Sequence, residues 1–189
     1  MRPANVADVM IDPGTEVLTP RCRLRYPSEA DIPHIFSASR EPGFNDGMVW
    51  DPPAHIDDLR EPLRSHQAAW EEGSAYTWTI EQRLSNVFVG RISIRREPGG
   101  EAREWSIGFW VHPTRQRQGY ATEVAQAVVA FGFERLQAAC ITAAHATWND
   151  ASGEVLQRLG MRRVRTNPRG FQKGGRWVEE YEYELRRPA

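Results

Sequence analysis

A chain of 189 residues with 24 basic and 25 acidic side chains has a net charge of -1, too balanced to bind nucleic acid through bulk charge. Its 40% hydrophobic content suffices for an ordinary globular core, and its length sets a single domain as the expectation. Two distant cysteines, Cys22 and Cys140, exclude a disulfide framework, a lone lysine, Lys173, argues against Schiff-base chemistry, and no apolar run is long enough to span a membrane.

Residues 1–20 mix Asp8, Asp12 and Glu16 with prolines, so they read as a leader rather than a signal peptide, ahead of a domain over 21–189. A cytoplasmic, reducing setting is the default expectation. A short first strand is predicted over 22–26, and Ser28-x-x-Asp31 predicts the start of a helix carrying Ile32, Ile35 and Phe36. Prolines, glycines and Asn45-Asp46-Gly47 make 41–53 a loop that displays Phe44, Met48 and Trp50. A second helix is predicted over 55–72, ended by Gly73. Alternating patterns then predict strands over 76–80, 88–94 and 104–111, with a turn at Pro98-Gly99-Gly100 joining the last two. A long helix from Ala121, a strand over 140–146 and a helix over 151–159 follow. Two closing strands near 161–166 and 176–185 flank a loop over 168–175. The order β-α-α-β-β-β-α-β-α-β-β predicts an α+β fold with a mixed sheet.

The segment from Val111 to Thr122 is the most informative. It reads as a strand end, a polar turn carrying Gly119, and a helix start with Ala121, Val124, Ala125, Val128 and Gly132 at spacings of three and four. A turn that delivers a bare glycine to a helix start makes an anion site, because its N–H groups lack partners and the helix dipole adds partial positive charge. Elsewhere, Asn149 and Ser152 are favoured helix caps. Glu104 lies two residues before Ser106 and shares its strand face. Cys140 sits among Ala138, Ala139 and Ile141, surroundings that suit an inert thiol better than a nucleophile. The five histidines have no paired-ligand spacing, so no metal is expected, and the absence of G-x-x-x-x-G-K-[ST] argues against a nucleotide P-loop.

Gln116-Arg117-Gln118-Gly119-Tyr120-Ala121 resembles the Q/R-x-x-G-x-G/A pyrophosphate loop of the GCN5-related N-acetyltransferases (GNAT), and Val111-x-Pro113 sits at that family's spacing. Asn149-x-x-Ser152-x-x-Val155-Leu156-x-x-Leu159-Gly160-Met161 resembles a later motif of the same family in its RimJ/RimL-like branch. The resemblance covers about residues 21–186. It implies a three-layer α/β/α fold whose central mixed, mostly antiparallel sheet is splayed at the acetyl-CoA site. It also implies an acetyl-CoA-dependent transfer of acetyl to a primary amine by direct attack. The acceptor stays open between a protein N-terminal α-amine and a small-molecule amine, with no nucleic-acid or membrane partner. Whether the chain forms the homodimer common among related proteins is open too.

By the same resemblance, the pyrophosphate loop is Gln116, Arg117, Gln118, Gly119, Tyr120, Ala121 and Thr122, with Arg115 and Arg117 near the 3'-phosphate of coenzyme A. Trp110 and Val111 pair with the pantetheine arm, and Asn149 lies near it. Two departures matter. Ser106 stands where the branch usually has a glutamate before Ile-Gly, and Leu156 stands where many members carry a tyrosine acid. Glu104, acting through water, and Ser152 are therefore the catalytic candidates, as base and as proton donor to the thiolate. An α-amine of pKa about 7.7–8.0 needs less help from a base than a lysine near 10.4, so a weak base suits the former. The two departures also keep alive an alternative: a CoA-binding module of this fold without turnover. The loops over 43–53 and 167–176, with Trp50, Trp177, Asp46 and Asp51, are the expected acceptor walls.

Overall fold

A computed structural model describes residues 10–97, 99 and 103–187. Residues 1–9 of the expected leader, and Pro98 and Gly100 of the expected turn, lie outside them. Among the described residues, alternating aromatic and β-branched side chains build eight strands: β1 (Val17–Leu18), β2 (Cys22–Arg25), β3 (Ala75–Gln82), β4 (Phe88–Arg96), β5 (Glu104–Val111), β6 (Cys140–Ala146), β7 (Arg162–Lys173) and β8 (Arg176–Arg186). The same described residues form four α-helices: α1 (Ile32–Ser39), α2 (Arg60–Glu71), α3 (Tyr120–Glu134) and α4 (Asp150–Arg158). They form one mixed sheet in the order β1-β2-β3-β4-β5-β6-β8-β7, antiparallel except between β5 and β6. Part of the expected leader belongs to this body, since β1 pairs with β2 and Ile11 is buried, its carbonyl accepting from Trp70 Nε1 at 2.7 Å.

The two faces of the sheet differ in chemistry. Tyr76, Trp78, Ile80, Ile92, Ile94, Trp105 and Ile107 point to one side, where the apolar stripe of α3 (Val124, Ala125, Val128) and Val155 and Leu156 of α4 close the main core. Gly132 lets α3 sit close, because a Cβ there would lie 2.8 Å from Ile141 Cδ1 and from Ile94 Cδ1. The opposite face, under α1 and α2, is polar. Thr79 donates to Asp31 Oδ2 at 2.6 Å, Thr77 meets His66 Nδ1 at 3.4 Å, and Arg25 lies 2.6 Å from both Asp31 and Glu81. A smaller apolar cluster of Ile32, Ile35, Leu59, Leu63 and Phe88 anchors α1 and α2 to that side.

The closing segment departs from expectation. β7 does not stop at 166 but runs to Lys173, so most of the expected 168–175 loop is strand. Only Gly174 and Gly175 turn the chain, with φ of 54° and 76°, the left-handed pair that a two-residue hairpin favours. Pro168 is accommodated because the register shifts between Asn167 and Phe171, where a missing N–H costs no ladder bond.

Candidate active site

β5 and β6 pair at only three positions, Glu104 with Cys140, Trp105 with Ile141 and Ser106 with Thr142. Beyond them the strands diverge, leaving Ile107–Val111 and Ala143–Ala146 without each other as partners. The wedge opens into a cleft of about 1940 Å³ that runs from the start of α3 to the polar sheet face beneath α1 and α2. Trp110, Val111, Gln116, Arg117, Gly119, Tyr120, Ala121, Thr122 and Asn149 all line it, as do Glu104 and Ser152. Gln118 does not line the cleft; its carbonyl accepts from Arg21 Nη1 at 2.9 Å on the outer side of the turn.

The turn after β5 is built to leave donors bare. Gln116 Nε2 donates back to the Val111 carbonyl at 3.1 Å, a 3-10 turn spans Pro113–Arg115, and Arg117 and Gly119 take φ of 61° and 80°. The first helical bond is Glu123 N–H to the Gly119 carbonyl. Among the described residues, the six backbone N–H groups from Arg117 to Thr122 therefore have no protein acceptor. Left-handed residues beside a helix start make a concave nest of N–H groups, and the dipole of a 15-residue helix adds to its pull on anions.

A brace that the sequence reading did not include holds this turn. Glu123, in the first turn of α3, accepts from Thr19 Oγ1 at 2.6 Å, from Arg21 N–H at 2.8 Å and from Arg21 Nε at 2.6 Å. The Arg21 guanidinium also lies over the Tyr120 ring, 4.7 Å from its centroid. Burial opposes ionisation of Glu123, but the bonds from Thr19 and Arg21 outweigh it and hold its carboxyl below the usual range. Contacts a hundred residues apart leave no local sequence signal.

Across the wedge, Asn149 Oδ1 accepts the Ser152 N–H at 3.2 Å, so the expected cap is present and Ser152 faces the cleft at the start of α4. Leu156 is core, 1% exposed. Cys140 pairs with Glu104 at the closed end, is absent from the cleft lining, and burial raises its thiol pKa, so it is no nucleophile.

β8 contributes what the sequence reading missed. Glu180, Glu182 and Glu184 alternate onto the cleft side. Arg165 holds Glu182 at 2.9 Å on each oxygen and lowers its carboxyl pKa, and Arg162 and Arg186 pair with Glu184. Glu180 has no ion pair among the described residues. Burial raises its carboxyl pKa, the Glu182 charge adds to that rise, and Arg95 opposes it. Gly170, opposite on β7, supplies the room, since a Cβ there would collide with the Glu180 carboxylate. Of the expected acceptor walls, Trp50 and Asp51 line the cleft and Trp177 does not. Asp51 is paired with Lys173 at 3.0 Å, and Lys173 also donates to the Trp50 carbonyl at 2.6 Å, tying the β7–β8 hairpin to the 43–53 loop.

A sheet splayed beside a bare helix N-terminus defines a class, and comparison with known proteins gives the same one. Residues 21–162 match the acetyltransferase (GNAT) domain family, and the chain belongs to it. It is 35% identical over 112 residues to YnaD of Bacillus subtilis, described as an uncharacterized N-acetyltransferase; the match covers 59% of this chain and 65%, less than two thirds, of that relative. The fold is shared with Mycobacterium smegmatis RimJ in complex with CoA-disulfide, at a TM-score of 0.76 and 21% identity over 91% of this chain and 86% of that one. It is shared too with Vibrio cholerae spermidine N-acetyltransferase in complex with CoA and spermine, at 0.75 and 16% over 88% and 95%.

Proposed function

We propose that this chain is an acetyl-CoA-dependent N-acetyltransferase that transfers acetyl to a primary amine by direct attack. The observation that carries this reading is the row of six acceptor-free N–H groups from Arg117 to Thr122 at the mouth of the β5–β6 wedge. They fit a pyrophosphate: successive donors, one positive helix end and no Cβ at Gly119. Arg115 and Arg117 lie beside them for a further phosphate. Around Trp110 and Val111 the strand is unpaired toward β6, and since Gln116 Nε2 takes the Val111 carbonyl, it is the Val111 N–H that meets an extended pantetheine arm and polarises the acetyl carbonyl. Asn149 at the opposite lip positions the same arm.

The amine attacks once it has lost its proton. Glu180 is the base this reading favours, because it faces the cleft without an ion pair and holds its proton more tightly than an ordinary carboxylate. Glu104, at the closed end of the wedge, is the second candidate. As the C–S bond breaks and the amide forms, the attacking nitrogen loses a second proton, and Ser152, on the cleft at the start of α4, relays it to the departing thiolate. Bringing donor and acceptor together in the wedge supplies the rest, with no covalent enzyme intermediate.

Thermal unfolding with acetyl-CoA, and with ATP as control, tests donor binding. Acetyl-CoA at about 100 times its Kd is expected to add about 2.7 kcal/mol, a shift of a few degrees. Gly119→Asp is expected to abolish the shift, since a carboxylate there repels the pyrophosphate. An undiminished shift in that variant would refute the nest as the donor site.

A further inference from the structure

On the polar face beneath α1 and α2, one buried arginine has two guanidinium nitrogens without a hydrogen-bond acceptor among the described residues. Arg91, on β4, is 7% exposed and lines the cleft. Its Nε and Nη2 are buried with no hydrogen-bond partner among the described residues. The carboxylate beside it, Asp31, does not serve it. Asp31 lies 3.9 Å away, beyond hydrogen-bond reach, and already accepts from Arg25, the Ser28 N–H and Thr79. Glu81 is held by Arg23 and Arg25. His66, on α2, is neutral: burial, helped by the Arg91 charge, pushes its pKa down to about 4. Ser106 Oγ, on the same sheet face of β5, is also buried without a partner.

A buried guanidinium without an acceptor is costly, and Nε with Nη2 is the edge that matches the two oxygens of a carboxylate. The acidic residues of β8 line the same cleft farther along the sheet, beyond β5 and β6, and among the described residues Glu180, unlike Glu182 and Glu184, is not paired with an arginine. The cleft thus has a cationic side on β4 and an anionic side on β8.

Resting on the acetyltransferase reading above, we propose that Arg91 binds a carboxylate carried by the acceptor, which is a small zwitterionic amine of the free amino acid class. Its amine faces the wedge beside Trp110, which Arg91 stands opposite in register, and its carboxylate completes Arg91. A polycationic amine would set a positive charge against an unsatisfied guanidinium, and a polypeptide N-terminus carries no carboxylate next to its amine.

The test is amine-dependent release of CoA thiol from acetyl-CoA by the full chain, across free amino acids and their matched carboxamides. Ethanolamine with phosphoethanolamine, spermidine, and N-terminal peptides complete the panel. Free acids are expected to exceed their carboxamides by about tenfold or more in kcat/KM. Arg91→Lys, which keeps the charge without the fork, and Arg91→Gln are expected to bring that ratio close to one through KM for the acid. Retained stabilisation by acetyl-CoA shows that each variant is folded. Turnover of carboxamides, spermidine or peptides equal to or above that of free acids overturns the proposal, as does no turnover of any amino acid. A preference confined to phosphoethanolamine over ethanolamine overturns the carboxylate assignment in favour of a phosphate. Loss of the acetyl-CoA shift in the wild-type chain removes the underlying reading, and that result is distinguishable because it needs no acceptor.

Discussion

Two side chains on the polar sheet face make the site's electrostatics measurable. Glu180 must be ionised to take a proton, so activity is expected to rise with pH through its raised pKa and level off above it. Glu180→Gln is expected to lower kcat by about 10²–10⁴-fold and to remove that acid limb, read from kcat against pH. An unchanged limb would move the base to Glu104. His66 gives a stability readout. Its folded pKa of about 4 lies below the usual 6.5, so the unfolded chain takes up a proton first as pH falls. Stability from this group is complete above about 6.5 and is lost progressively down to about 4, up to about 3 kcal/mol. Urea unfolding at pH 7 and pH 4.5 should show a smaller pH difference in His66→Asn than in the wild type. Neither residue was legible as functional in the sequence: Glu180 sits in a run of alternating glutamates, and what separates it from Glu182 is that Asn167 of β7, and not an arginine, lies opposite.

At the scale of elements, local chemistry was readable where it is local. The turn from Val111 to Thr122 and the cap at Asn149 form from neighbouring residues, and both stand where the motifs put them. Asn149→Ala is expected to cost about 1 kcal/mol in chemical unfolding, since it strips the acceptor from the Ser152 N–H. Asn149→Ser should recover most of that loss. The hairpin of β7 and β8 was less readable. Pro168 and Gly170 resemble loop signals, yet cross-strand pairing from Arg162 to Lys173 absorbs them in a register shift. The brace of Thr19, Arg21 and Glu123 spans about a hundred residues and has no short-range pattern at all.

For the whole molecule, the order of strands and helices was legible because each element is strongly periodic and its stops carry glycine or proline. What periodicity does not give is the partial pairing of β5 with β6, on which the cleft depends. That opening joins three chemistries: bare N–H groups from the α3 turn, the cap of α4, and the polar sheet face under α1 and α2. The measurement that tests the account most directly is steady-state release of CoA thiol from acetyl-CoA, with and without an amine, together with mass analysis of the amine. The expected result is release that requires the amine and matches one acetyl gained per thiol. Donor binding with no amine-dependent release would contradict the account and leave a CoA-binding module in its place.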